Sequence, residues 1–212
     1  MSTDQVKAST PLWRQLQEAA GVLQAVRSGV SGTAALARVP FELRPGVQAL
    51  VFHVWRNLGR AQGLRDLLVT RKAPLVVDAL LCTALGLGWQ EQDAPYEMFT
   101  LVNQTVEAAK KNPATKAQAA FINACLRRFL RERSLLVAAT DQQPTARWNH
   151  PAWWIARLQK EQPQHWQALL GANNAQPPLT LRVNARQTSA AAYVQTLAHS
   201  GVAAHCVGDS GV

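Results

Sequence analysis

Apolar residues recur at helical spacing almost without interruption between residues 11 and 133. The clearest stripe follows Pro45 and holds six apolar side chains on one helical face: Val47, Leu50, Val51, Val54, Trp55 and Leu58. Such a stripe is typical of an amphipathic helix that buries one side. Since no β-type alternation interrupts the region, the sequence predicts an all-α helical bundle over residues 11–134. Four aromatic residues fall on apolar stripes and are predicted to be core: Trp55, Phe99, Phe121 and Phe129.

The character of the chain changes after this bundle. The polar, proline-containing stretch 135–147 is typical of a linker. Two short helical patterns follow, and then LTLRVN (residues 179–184) alternates apolar and polar residues as a half-buried strand does. The remaining predicted elements are a helix over 189–200 and a second strand over 202–207.

The predicted fold class is therefore mainly α, an all-α bundle followed by an incomplete α+β segment at 148–212. The segment is called incomplete because two strands do not form an independently stable sheet. Residues 1–10 are predicted to be a disordered tail.

The chain is strongly basic, with 22 Lys and Arg against 13 Asp and Glu and a net charge of +9. Such a balance favours a polyanionic partner, because cations that neutralise phosphates release counterions. A protein that is basic without a nucleic-acid partner is the alternative. The three cysteines are far apart, without a CxxC pair, which argues against a disulfide framework or a cysteine zinc site. With no signal peptide and no sufficiently long apolar segment, we expect a cytoplasmic protein that does not enter a membrane.

Candidate phosphate-binding side chains are Arg127, Arg128 and Arg131 of the last bundle helix, Lys110 and Lys111 of the preceding helix, and Arg182 of the first strand. The alternative for the helix ends is that these cations simply stabilise the C-terminal dipole. Arg56 and Arg60 lie beyond the stripe after Pro45 and are predicted to be exposed. Asn103 and Asn123 lie inside helices, where each is predicted to bond a backbone group rather than a ligand.

Two regions of the chain carry a family resemblance. NQTVEAAK (residues 103–110) followed by FINACLR (121–127) resembles the late helices of the NusB-like RNA-binding fold, and the likeness extends over residues 11–133. WNHPAWW (148–154) and ANNAQPPLTLRVN (172–184) resemble the junction that follows this fold in the bacterial RsmB (Sun/Fmu) ribosomal RNA methyltransferases.

The resemblance implies an RNA-binding part of an S-adenosylmethionine-dependent enzyme that methylates C5 of a cytosine in 16S ribosomal RNA. In that family the chemistry uses two cysteines, one in a Pro-Cys-Ser-Gly setting. This sequence has no Pro-Cys dipeptide and no Gly-rich cofactor turn, and Cys206 matches neither position. We therefore assign no catalytic, cofactor or metal residue, and expect this chain to lack its catalytic domain and to transfer no methyl group alone.

Two other hypotheses stay open at this point. One is a stand-alone NusB-like factor for transcription antitermination, which residues 148–184 disfavour because such a factor needs no second domain. The other is a helical scaffold that binds no RNA. The target nucleotide and the oligomeric state are also left open.

Overall fold

A computed structural model describes residues 10–92 and 94–212, and within them the chain forms eleven α-helices. The first seven are α1 (Leu12–Arg27), α2 (Gly32–Ala37), α3 (Arg44–Arg56), α4 (Leu58–Leu68), α5 (Leu75–Gly88), α6 (Met98–Lys111) and α7 (Ala119–Asp141). The others are α8 (Pro144–Trp148), α9 (Ala152–Glu161), α10 (Trp166–Asn174) and α11 (Ala190–His199). The chain divides into two compact units, one that ends at Asn174 and one that comprises Ala175–Val212.

Helix α5 is the centre of the first unit. Twelve of its 14 residues are buried, and it contacts α1, α3, α4, α6 and α7. A helix that is apolar on all sides can be stable in water only when other helices surround it. The predicted all-α bundle is confirmed.

The predicted aromatic core is confirmed only in part. Phe129 is fully buried and Trp55 packs against the core, but Phe99 is 75% exposed and Phe121 is 38% exposed. The prediction was wrong for these last two residues. In α6 the buried face includes Leu101 and Ala108, and Phe99 lies two residues before Leu101, about 200° away around the helix.

The predicted linker at residues 135–147 is also wrong, because these residues are mostly helical. Helix α7 bends at Glu132, whose φ of −111° and ψ of 15° are not helical, and then continues to Asp141. Its last part buries Leu136 and Thr140, and α8 covers most of the remaining stretch and packs on α4. Burial against the bundle therefore outweighs the local polar composition.

Helices α9 and α10 form a second small core within the first unit. It consists of Ile155, Leu158 and Leu170, against which Trp148, Trp154 and Trp166 pack. Trp148 and Trp154 are thus partly buried by this packing, whereas Trp153 is 66% exposed.

The second unit contains the predicted helix, α11, whose N-cap Ser189 accepts a hydrogen bond from the backbone N–H of Ala192 at 3.2 Å. The two predicted strands are not found: the described residues of this unit form isolated β-bridges rather than strands. Leu181 and Val212 exchange two backbone hydrogen bonds of 2.7 and 2.8 Å. Residues 179–184 thus pair with the end of the chain and not with 202–207, because a tight turn returns Val207 onto Gly211.

None of the helices in the described part of the chain combines the length and the hydropathy that a bilayer crossing requires. The predicted N-terminal tail, residues 1–10, lies outside the described residues except for Thr10.

Two glycines in helices provide a matched test of this packing. A Cβ at Gly59 in α4 would overlap the backbone carbonyl of Thr145 in α8, whereas a Cβ at Gly21 in α1 would meet nothing within 4 Å. We expect Gly59→Ala to lower the free energy of unfolding by about 1–3 kcal/mol through overpacking. Gly21→Ala should raise it by up to about 1 kcal/mol, because alanine is the better helix former. Urea unfolding followed by circular dichroism measures both, and a change of the same sign would contradict the close approach of α4 to α8.

Candidate functional site

The exposed side of α7 carries two arginines one turn apart. Arg127 and Arg131 are both exposed, and no carboxylate of the described residues lies within ion-pair distance of either. Because they are four residues apart, their side chains lie on the same face of the helix, separated by a rise of about 6 Å. This arginine pair, Arg127 and Arg131, presents two guanidinium forks that suit phosphate oxygens.

The other arginines of this helix already have partners. Arg128 is half-exposed and pairs with Glu132 at 3.0 Å, and its Nη1 donates to the carbonyl of Leu67 at 3.4 Å. Ion pairs between residues four apart on an exposed helix are worth only about 0.3–0.5 kcal/mol, so Arg128 can exchange its partner for a phosphate. Arg133 cannot do so easily, since it is 14% exposed and bonds Glu91 and the Gly88 carbonyl.

The two predicted lysines of α6 lie in different surroundings. Lys110 is exposed beside a polar cleft. Lys111 pairs with Glu107 at 3.2 Å and lies over the ring of Trp13 at 5.1 Å. Of the two lysines, Lys110 is thus the one whose ammonium group faces solvent without an ion-pair partner among the described residues.

The polar cleft lies between the packed helices α6 and α7 and has a volume of about 480 Å³. We call it the amide cleft, and its lining residues are Asn103, Gln104, Val106, Glu107, Lys110 and Asn123. The expected backbone bonds of Asn103 and Asn123 are not found: neither side-chain amide has a hydrogen-bond partner in the part of the chain that the structure describes. Both amides are therefore available to a ligand.

The sixth predicted residue, Arg182, belongs to the second unit. It is exposed and lines a cleft of about 590 Å³ together with Asn184, Arg186 and Ser210. The Asn184 side chain accepts a bond from the backbone N–H of Arg186 at 3.1 Å, which fixes the turn that carries these two cations.

The sequence prediction found the cations but missed the cleft beside them. The sequence does contain a signal for the cleft: Asn103, Glu107 and Lys110 recur at i, i+4 and i+7 and so form one polar face of α6. Lys116, which is exposed in the 3₁₀ turn between α6 and α7, was missed as well.

The two cysteines of the bundle are poor candidates for chemistry. Cys82 and Cys125 are buried. Burial is the largest cause of a raised pKa for both thiols, and the charge of Asp78 raises that of Cys82 further. Nucleophilic attack requires a thiolate, so both residues are better described as small apolar core residues. Cys206 is exposed, and no cluster of three metal-ligating side chains occurs among the residues described.

Two family models match this chain. The NusB family model matches residues 22–131, and the "Methyltr_RsmF/B-like, ferredoxin-like domain" model matches residues 150–212. The "Probable ribosomal RNA small subunit methyltransferase B" of Coxiella burnetii is 41% identical over 107 residues, which are 50% of this chain and 24% of that protein. The "Ribosomal RNA small subunit methyltransferase B" of Pseudomonas putida is 40% identical over 103 residues, 49% of this chain and 23% of that protein. The relative of the same name from Cronobacter sakazakii is 31% identical over 162 residues, 75% of this chain and 37% of that protein.

The helical bundle with its cationic face and the two family matches together define the class of protein to which this chain belongs. The chain belongs to the NusB family, and a segment like the RsmF/B ferredoxin-like domain follows the NusB part. The matched regions span less than two fifths of the length of these curated relatives.

Proposed function

We propose that this chain is the RNA-binding part of a ribosomal RNA cytosine-C5 methyltransferase and positions small-subunit ribosomal RNA for methyl transfer. The observation that carries the proposal is the exposed arginine pair, which has no carboxylate partner among the described residues. Lys110 and the exchangeable Arg128 extend the same positive region. The family match and the names of the relatives support RNA as the polyanion.

The methyl donor implied by this function is S-adenosylmethionine, which supplies an electrophilic methyl group. Nucleotide-like cofactors are held by a Gly-rich turn between a strand and a helix. The described residues contain no such turn, so none of them is assigned to the cofactor and no catalytic step is assigned to this chain. The role proposed for it is to bind and orient RNA.

Removing the arginine pair should weaken RNA binding. We expect Arg127→Ala/Arg131→Ala to reduce the affinity for a 16S ribosomal RNA fragment roughly tenfold or more, because two charge-assisted contacts are lost. The slope of log affinity against log salt should become shallower by about 1.4, since each contact to a single-stranded phosphate contributes about 0.7. Fluorescence anisotropy at several salt concentrations measures both quantities.

A matched control removes the same charge elsewhere. Arg38→Ala/Lys160→Ala removes two exposed cations, one at the C-terminal end of α2 and one in α9. These helices pack on other elements than the helix of the arginine pair: α2 on α1 and α3, and α9 on α8 and α10. This variant should keep most of the affinity. An equal loss in both double variants would show that net charge alone drives binding and would contradict the proposed site.

The stand-alone antitermination factor is tested by the same protein. It would select leader RNA together with a ribosomal protein over a 16S fragment. The match of residues 150–212 to a methyltransferase-associated domain supports the first proposal instead.

A further inference from the structure

Phe99 of α6 exposes its phenyl ring to solvent. It is 75% exposed, whereas Leu101 and Val102, the next apolar residues of the same helix, are buried. Within the described residues, Phe99 takes part in no ring–ring contact and no cation–π contact. The packing of the bundle therefore does not require this ring, and its face is open to a ligand.

The packing of α6 on α7 brings Phe99 to the level of the arginine pair. The two helices pack side by side and are joined by residues 112–118 alone, so they run antiparallel. Met98 and Leu130 line one hollow, which places the start of α6 beside the middle of α7. Leu130 lies between Arg127 and Arg131 in the sequence. Phe99 thus lies across from the segment of α7 that carries the arginine pair.

Phe99 and the arginine pair also lie on the same side of these two helices. Asn103 of α6 and Asn123 of α7 both line the amide cleft. Phe99 precedes Asn103 by four residues and therefore lies on the cleft side of α6. Arg127 follows Asn123 by four residues and lies on the cleft side of α7. The axes of packed helices are about 8–10 Å apart, so the ring and the guanidinium groups can contact neighbouring nucleotides of one strand.

This combination fits a single nucleic-acid strand better than it fits a protein. A specific protein interface buries about 800 Å² on each partner, whereas one phenylalanine side chain supplies about 150–250 Å². A nucleic-acid strand alternates flat bases with phosphates, and proteins bind it with aromatic rings beside a cationic groove. One exposed ring next to two arginines without carboxylate partners among the described residues matches that alternation.

We infer that Phe99 stacks on one unpaired base of the bound RNA while the arginine pair holds the neighbouring phosphates. This inference rests on the proposed RNA-binding function and adds the form of RNA that the site takes, a single-stranded segment. The bases of a duplex are stacked on one another and do not reach the ring. Every base has a π face, so the contact tolerates any sequence.

Substitutions of Phe99 in the full chain test the stacking contact. We expect Phe99→Ala to lower the affinity for a short, unstructured single-stranded RNA about tenfold, the effect of losing one base–aromatic stack. The slope of log affinity against log salt should stay unchanged, because no charge is removed. Phe99→Trp should bind as tightly as the wild type, whereas Phe99→Leu, which is apolar but has no ring, should lose most of the affinity. Fluorescence anisotropy at several salt concentrations measures all of these quantities.

Two further RNAs and a control variant isolate the base. One RNA is the same strand in a duplex with its complement, and the other carries abasic sites in its central part. Phe99→Ala should bind each of them as the wild type does, whereas Arg127→Ala/Arg131→Ala should weaken binding to all three RNAs. Phe41→Ala removes another exposed ring, 82% exposed and located before α3, and should leave binding to every RNA unchanged.

The outcomes separate this inference from the proposed function. Single-stranded RNA bound by Phe99→Ala or by Phe99→Leu as tightly as by the wild type would overturn the stacking contact alone. An equal loss on the single strand, the duplex and the abasic strand would overturn it too, because no base would then be involved. A wild type that binds none of the RNAs at low salt would overturn the proposed function as well.

Discussion

Replacing Asp78 with alanine is expected to destabilise the helical unit by about 3–5 kcal/mol, the largest effect that we predict for a single substitution. Asp78 lies in the central helix α5 and is 7% exposed. Its Oδ2 accepts a bond from Arg27 of α1 at 2.7 Å, and its Oδ1 contacts Arg65 of α4. One carboxylate therefore balances two mostly buried guanidinium groups and connects three helices.

The cost of the Asp78 substitution arises from the two arginines that remain. Without the carboxylate, Arg27 and Arg65 would leave two positive charges close together in a partly buried site. Arg27 already has two buried guanidinium nitrogens with no hydrogen-bond partner among the described residues, so few other acceptors are at hand. Removing one member of a buried ionic group costs more than the group contributes, because the uncompensated charge stays desolvated.

Urea unfolding followed by far-ultraviolet circular dichroism measures the effect. The control is Asp66→Asn, which removes an exposed carboxylate that also pairs with Arg65, at 2.9 Å, and should cost no more than about 0.5 kcal/mol. The triple variant Arg27→Met/Asp78→Leu/Arg65→Met removes all three charges together. We expect it to be close to the wild type in stability, because apolar residues of similar volume commonly replace a buried ionic group without loss. An Asp78→Ala variant as stable as Asp66→Asn would contradict this account.

The helices of the bundle could be predicted from the sequence because apolar spacing is a local signal. The stripe after Pro45 became α3, with Val47, Leu50, Val51 and Val54 buried as predicted. The three-helix contact at Asp78 could not be predicted, since its members are separated by 51 and 13 residues along the chain. Local polarity was also misleading at residues 135–147, where burial of Leu136 keeps the chain helical.

The candidate site was predictable to a similar extent. Charge identifies which residues can bind a phosphate, but only the fold shows which of them already have partners. Arg127 and Arg128 are neighbours in sequence, yet only Arg128 has an acidic partner one turn away. The amide cleft requires α6 and α7 to pack side by side, and no local pattern contains that information.

Arg60 is the clearest case of a side chain whose partners the sequence did not reveal. Its substitution gives the second large loss of stability that we predict. The sequence predicted an exposed side chain, but Arg60 is 4% exposed. Its guanidinium group pairs with Asp141 at 2.6 Å, donates to Thr140 Oγ1 at 2.7 Å and to the Val137 carbonyl at 3.2 Å, and lies 4.8 Å from the ring of Trp89. A single side chain of α4 thus holds the last part of α7 in place.

Arg60→Ala should therefore destabilise the first unit by about 3 kcal/mol, through lost hydrogen bonds and the cavity left by the long side chain. The loss of stability should be largest in the segment that accepts these hydrogen bonds, the last part of α7. Hydrogen exchange is therefore expected to accelerate in residues 134–148 more than in α1 or α5. Arg60→Lys should give an intermediate effect, because lysine keeps the charge but lacks the planar fork that reaches three acceptors.

The matched control for Arg60→Ala is Arg56→Ala, four residues earlier in the chain and at the end of α3. Arg56 is partly exposed, and no ion pair or side-chain hydrogen bond involves it within the described residues, so its removal should cost no more than about 0.5 kcal/mol. Asp141 is 45% exposed, but among the described residues it is the only carboxylate that pairs with the buried Arg60, so Asp141→Asn should cost about 1–2 kcal/mol. That is less than the cost of Arg60→Ala, because asparagine keeps a hydrogen-bond acceptor and the bonds of Arg60 to Thr140 and Val137 remain. Equal losses in Arg60→Ala and Asp141→Asn would instead make the ion pair the main contribution. Fast exchange throughout α5 in Arg60→Ala would show that the last part of α7 does not unfold as a local unit.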